Sequence, residues 1–131
     1  MSNDLYQQQI LDHYKHPNHY GVLKNPDFIL EEANQSCGDQ FTFYFKISPS
    51  PDQIIQDISF TGTGCAISTA VTSLLLNKLK GKSLSYIKKL NFSYLQKLIG
   101  VQVTPGRLKC LSLPARALLK ALNKINSKPL L

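Results

Sequence analysis

Every odd position from Phe41 to Ile47 is large and apolar, with Thr42, Tyr44 and Lys46 between them. A period of two predicts a strand with one buried face. A second strand is predicted from Ile54 to Phe60, with Ile54, Ile58 and Phe60 on one face, and a weaker one from Phe28 to Ala33. The turn cluster Ser48-Pro49-Ser50-Pro51-Asp52 joins the two stronger strands. Three strands linked by short connections predict an antiparallel meander, one face of which needs helices to cover it.

Helical spacing flanks this meander. Leu5, Tyr6, Gln9, Ile10 and Tyr14 predict a first helix, with Asp4 as its N-cap and Pro17 as its stop. Ile67, Ala70, Val71, Leu74 and Leu75 form an i, i+3, i+4, i+7, i+8 stripe, ended by Gly81. Ser83 caps short helical pieces over Tyr86–Lys89 and Phe92–Leu98, and a loop follows from Gly100 to Gly106. Leu111, Ala115, Leu118, Leu119, Leu122 and Ile125 give the last stripe. Pro114 is expected in the first turn of that helix, where its missing N–H costs nothing. The fold class is therefore α+β: a three-stranded antiparallel sheet with helices packed on one face.

The 131 residues suit one core, and 43% are apolar. A single domain over residues 1–131 is expected, frayed from about residue 127. The N-terminus has neither the apolar run of a secretory signal nor the basic character of a transit peptide. The longest aliphatic run, Leu74-Leu75-Leu76, is too short to cross a membrane. Three cysteines cannot all pair, so a cytoplasmic, reduced chain is expected, with thiols available for metal or chemistry.

Charge changes the picture further. All eight acidic residues but only three of the fifteen basic ones precede position 58, leaving −5 before it and +12 after it. Such asymmetry either attracts an acidic partner or is simply a solvated lysine-rich face. A nucleic-acid module is a poor fit, because the lysines do not alternate with aromatics and Arg107 and Arg116 are the only arginines.

Candidate chemistry centres on Thr61-Gly62-Thr63-Gly64-Cys65-Ala66-Ile67-Ser68, where a strand ends, the chain bends on glycine and a helix begins. A thiol at a helix start is biased toward thiolate. In Cys37-Gly38-Asp39, residues two apart in extended chain point the same way, and Gly38 allows close backbone approach. With Cys110, at or just before a helix start, the set offers three thiolates and a carboxylate, enough for tetrahedral zinc or an iron–sulfur cluster. By spacing alone the cysteines form no C-x-x-C pair, so small buried hydrophobes remain an open reading. His13, His16 and His19 are read as a polar helix end and turn rather than a metal site, since Pro17 separates the third from the other two.

Together, Cys37-Gly38-Asp39, Gly62-Thr63-Gly64-Cys65-Ala66-Ile67-Ser68 and Arg107-Leu108-Lys109-Cys110 resemble the U-type iron–sulfur assembly family of IscU, SufU and the NifU N-terminal domain. The opening from Leu5 to Asn18 and Gly81-Lys82-Ser83-Leu84 extend the likeness to about Asn123. The resemblance implies the same sheet-and-helices fold, with Cys37, Asp39, Cys65 and Cys110 as ligands of zinc, or of iron or a [2Fe–2S] cluster. It also implies sulfur uptake from a pyridoxal-phosphate cysteine desulfurase and delivery to downstream cluster carriers or apo iron–sulfur proteins; a monomer or weak homo-oligomer that binds neither nucleic acid nor membrane is expected. IscU-like members assemble a cluster, with the counterpart of Cys110 as sulfur acceptor. SufU-like members bind zinc and accept sulfur at the counterpart of Cys65.

This chain combines features of both. Lys109 stands where IscU-like members carry a histidine, which resembles SufU, whereas Cys65 and Cys110 are 45 positions apart, a spacing that resembles IscU. Val103-Thr104-Pro105-Gly106-Arg107 replaces the Leu-Pro-Pro-Val-Lys chaperone motif, so no dedicated Hsp70-type partner is expected. Arg107 and Lys109 are expected to favour the Cys110 thiolate. The resulting expectation is a Cys3Asp zinc site that accepts persulfide sulfur. The alternatives are a [2Fe–2S] scaffold, a structural zinc or basic nucleic-acid module, or a regulator that only binds the desulfurase.

Overall fold

The computed structural model describes the backbone of residues 2–34, 38–49 and 51–127, and the side chains from 5 to 125 within those spans, position 6 apart. The elements run α1 (Ser2–Lys15), β1 (Phe28–Asn34), β2 (Asp39–Ile47), β3 (Ile55–Thr63) and α2 (Ala66–Leu79). A 3₁₀ turn over Leu84–Lys89, α3 (Phe92–Ile99), a second 3₁₀ turn over Pro105–Arg107 and α4 (Leu108–Ser127) complete the order. The strands pair β1-β2-β3, antiparallel throughout. This is the α+β meander that the alternation predicts. Among the described residues, no helix is long and apolar enough to cross a membrane.

Phe41, Phe43, Phe45 and Ile47 all point into the core, as the period of two requires. Phe43 lies opposite Phe60 and Phe45 opposite Ile58. The phase of β3 differs from expectation at its start: Ile55, not Ile54, is the buried residue. The register shifts between Lys46 and Ile47, which pair with Asp57 and Ile55, so Gln56 is the extra residue. One extra residue moves everything before it to the other face. Ile54 instead bridges to Ser83.

Three further boundaries depart from the sequence reading. α1 starts at Ser2, so Asp4 lies in its first turn rather than at the cap. Pro114 is the seventh residue of α4, not part of its first turn. The ring deletes the one bond its nitrogen would give four residues back, and the helix survives because Leu111, Leu118, Leu122 and Ile125 bury one continuous stripe. Finally, the segment read as loop around Gly21 pairs with the outer edge of β3. Gly21 N–H donates to the Phe60 carbonyl at 2.9 Å and Phe60 N–H to the His19 carbonyl at 2.9 Å.

α2 is the central helix, packed between α1 and α4 and against β3. Ala70, Val71, Leu75 and Leu76 are buried, and so are Ser68, Thr72 and Ser73 on its other sides. A helix buried nearly all round must satisfy its polar side chains internally. Thr72 does so by donating to the Ser68 carbonyl at 2.7 Å.

Candidate metal centre

β3 delivers the chain to the start of α2 through Gly62 and Gly64. Gly62 has φ +130°, and a Cβ there would lie 2.0 Å from the Gln40 carbonyl oxygen of the adjacent strand. At Gly64 a Cβ would come within 2.5 Å of Ser68 Oγ, 2.7 Å of Phe41 Cζ and 3.2 Å of Asp39 Oδ1. Both positions therefore exclude a side chain. The chain then reaches Cys65, the extended N-cap of α2, whose sulfur accepts from the Ser68 N–H at 3.4 Å.

Asp39 opens β2 opposite Asn34. Its carboxylate reaches across the sheet end, and Oδ1 accepts from the Cys65 N–H at 3.1 Å. Cys110 comes from the first turn of α4, almost wholly buried. One ligand atom from each of Asp39, Cys65 and Cys110 lies within 4.8 Å of the others, the sole such group of three among the described residues. Three segments distant in the chain thus converge on one point.

The residues fit a metal on two observations. Asp39 is 2% exposed, and its Oδ2 is buried without a hydrogen-bond partner among the described residues. A buried carboxylate oxygen left unpaired is costly unless a cation completes it. The donor set, two sulfurs and a carboxylate oxygen, also suits zinc or iron.

Burial by itself raises the Cys65 thiol. The Ser68 N–H, the Ser68 hydroxyl 3.5 Å away and the Cys110 side chain all bond to that sulfur, and together they outweigh burial and the repulsion from Asp39. The thiol titrates below its ordinary value, as a helix-start cysteine should. Ser68 is the residue that reading the sequence passed over. Its position three after the cap is the signal that could have found it, since that is where a capping box places its reciprocal partner.

Cys37 lies outside the described residues. Gly38 adopts φ +73° with open space around its Cβ position, and its N–H donates to the Asn34 carbonyl at 2.9 Å. It is a left-handed turn, so the backbone at Gly38 is not the extended chain on which the expected link between Cys37 and Asp39 rests. Arg107 and Lys109 are both exposed.

The histidines do not converge. His13 Nδ1 meets Ser73 Oγ at 2.7 Å and His19 Nε2 meets Asn77 Oδ1 at 2.8 Å. Both tie the end of α1 and the turn after it to α2.

The sheet order, the covering helices and the cysteine–aspartate cluster define a class of small metal-handling proteins. Residues 5–130 match the family model described as "NifU-like N terminal domain", and the chain belongs to that family. It is 32% identical to the zinc-dependent sulfurtransferase SufU of Bacillus subtilis (strain 168), over 92% of this chain and 90% of that protein. It is likewise 32% identical to the iron–sulfur cluster assembly scaffold protein IscU of Aquifex aeolicus (strain VF5), over 82% and 68% of the two chains. A crystal structure from Fervidobacterium islandicum AW-1, of a protein assigned as an iron–sulfur cluster assembly scaffold of the SUF system, superposes with TM-score 0.76. That pair is 30% identical and the match covers 93% of this chain and 99% of the other.

Proposed function

We propose that this chain serves iron–sulfur cluster assembly by accepting persulfide sulfur from a pyridoxal-phosphate cysteine desulfurase. Cys37, Asp39, Cys65 and Cys110 would hold zinc at rest, with residues 1–131 acting as one cytoplasmic unit. Gly64 and Gly38 shape the backbone around those ligands, and Arg107 and Lys109 meet the partner's approach. When bound, zinc would hold the cysteine sulfurs as thiolates.

The observation that carries the reading is Cys65 itself. It is half-buried at a helix start with its thiolate favoured, whereas Cys110 is 1% exposed. In the transfer step the Cys65 thiolate attacks the outer sulfur of the desulfurase persulfide. A new sulfur–sulfur bond forms at Cys65, the old one breaks, and the desulfurase cysteine leaves as a thiolate. The chain would then pass that sulfur to downstream carriers or apo iron–sulfur proteins.

The 45-position spacing between Cys65 and Cys110 favours a second reading, a scaffold on which iron and sulfide are assembled as cargo. Elemental analysis and the visible spectrum of anaerobically purified protein separate the two. About one zinc per chain without colour supports the acceptor, as does a one-sulfur mass increase on Cys65 after incubation with a desulfurase and cysteine. Iron with acid-labile sulfide and a brown spectrum overturns it in favour of the scaffold.

A further inference from the structure

A groove of about 870 Å³ opens between α1, α2, the Leu84–Lys89 turn and α3. It lies away from the metal centre. Leu74, Asn77 and Lys78 line it and come nine to thirteen residues after Cys65 on α2, which places them about 14–20 Å along the helix axis.

No acidic side chain lines the groove, whereas Lys78 and Lys97 do. Among the described residues, neither groove lysine is in an ion pair, unlike Lys80 with Asp57 and Lys120 with Glu32. Lys82 and Lys89 add charge at the rim, their ammonium groups 5.6 and 5.1 Å from the centre of the Tyr86 ring. The +12 balance of the chain after position 57 thus has a local focus.

Tyr86 and Tyr94 supply directional donors. Their hydroxyls are 3.1 Å apart with the rings edge-on at 81°. Burial, the hydrogen bond to Tyr86 and the proximity of that second phenol push Tyr94 up to about 12, so it stays protonated. In the pair one hydroxyl donates to the other, and the second proton remains for an acceptor in the groove. Leu74 and Leu98 give the lining an apolar component.

We infer that this groove binds an acidic peptide segment of a partner protein, with a carboxylate between Lys78 and Lys97 and an apolar side chain on Leu74 and Leu98. Inorganic phosphate would leave most of such a volume empty, and the lining offers neither an arginine fork nor a glycine-rich loop to converge on it. Single-stranded nucleic acid would need open aromatic faces, but Tyr86 is overlaid by lysines and set edge-on to Tyr94. An extended chain bearing carboxylates and aliphatic side chains matches charge, size and lining together.

The test is an amide-shift titration of isotope-labelled protein with the synthetic peptide Glu-Leu-Glu-Glu-Leu-Glu, with pyrophosphate in parallel. Saturable shifts are expected at Asn77, Lys78, Tyr94 and Lys97 and not at Cys65 or Cys110. Binding should weaken about tenfold in Lys78→Ala/Lys97→Ala and with added salt, and stay unchanged in Arg116→Ala. Circular dichroism and zinc content report whether the double variant keeps its fold and metal site. Shifts scattered over all lysines, no saturation, or equal loss in Arg116→Ala would overturn the inference. Pyrophosphate reproducing the shifts at the same concentration would also overturn it, leaving a simple anion site.

Discussion

The Asp39 carboxylate and the Cys65 backbone are joined across the end of the sheet, Oδ1 accepting the Cys65 N–H at 3.1 Å. One oxygen of the carboxylate is thereby fixed, and the other, Oδ2, is buried without a hydrogen-bond partner among the described residues, in a side chain that lies beside the sulfurs of Cys65 and Cys110. A single side chain both positions one ligand and offers itself as another.

Asp39→Asn keeps the size of the side chain while removing its charge. Zinc affinity, measured by chelator competition, is expected to fall at least about tenfold. Equal affinity in the two proteins would remove Asp39 from the ligand set.

Ser68→Ala removes the hydroxyl bonded to the Cys65 sulfur and keeps the N–H that caps it. The alkylation rate of Cys65 in metal-free protein should then follow a pH profile displaced to higher pH. An unmoved profile would leave burial and the backbone N–H as the controlling pair.

Gly64→Ala forces a methyl group against Ser68, Phe41 and Asp39, and a cost of about 1–3 kcal/mol is expected in denaturant unfolding. Gly106, which has nothing within 4 Å of its Cβ position, is the matched control. Gly106→Ala should stay within about 0.5 kcal/mol of the parent. Similar losses in both would discount the crowding at Gly64.

Burial lowers His13 below its ordinary 6.5, against the opposing pull of Asp12. The Asn18 N–H donates to Ser73 Oγ at 2.7 Å, so the hydroxyl proton of Ser73 is available to donate to Nδ1 of the neutral ring. The unfolded chain therefore binds the proton more readily, and stability rises with pH across this window. The penalty is absent above 6.5 and grows as pH falls through that value toward the folded-state pKa. His13→Gln should flatten the dependence of the unfolding midpoint on pH between about 5 and 7. An unchanged slope would place the effect elsewhere.

What the sequence revealed depended on how local each cause was. The β2 phase was readable because Phe41, Phe43, Phe45 and Ile47 carry it themselves. The Ile54–Ile55 phase was not, because the register shift is a property of two strands at once. Pro114 misled because local helix chemistry argues for the first turn, while the buried stripe on either side outweighs one missing bond. At the site, Cys65 as a helix cap was legible. The Asp39–Cys65 bond, the crowding around Gly64 and the reach of Ser68 arise only when β2, β3 and α2 meet.

The candidate ligands Asp39, Cys65 and Cys110 are separated by 26 and then 45 positions, and the last of them arrives on α4. An unfolded chain presents no chelate, so a metal held by these three residues would be captured only once α4 has docked, and loading would double as a checkpoint on assembly. A cation captured there weights the equilibrium toward the finished fold by mass action. Molecules that have not completed it would be left without the centre.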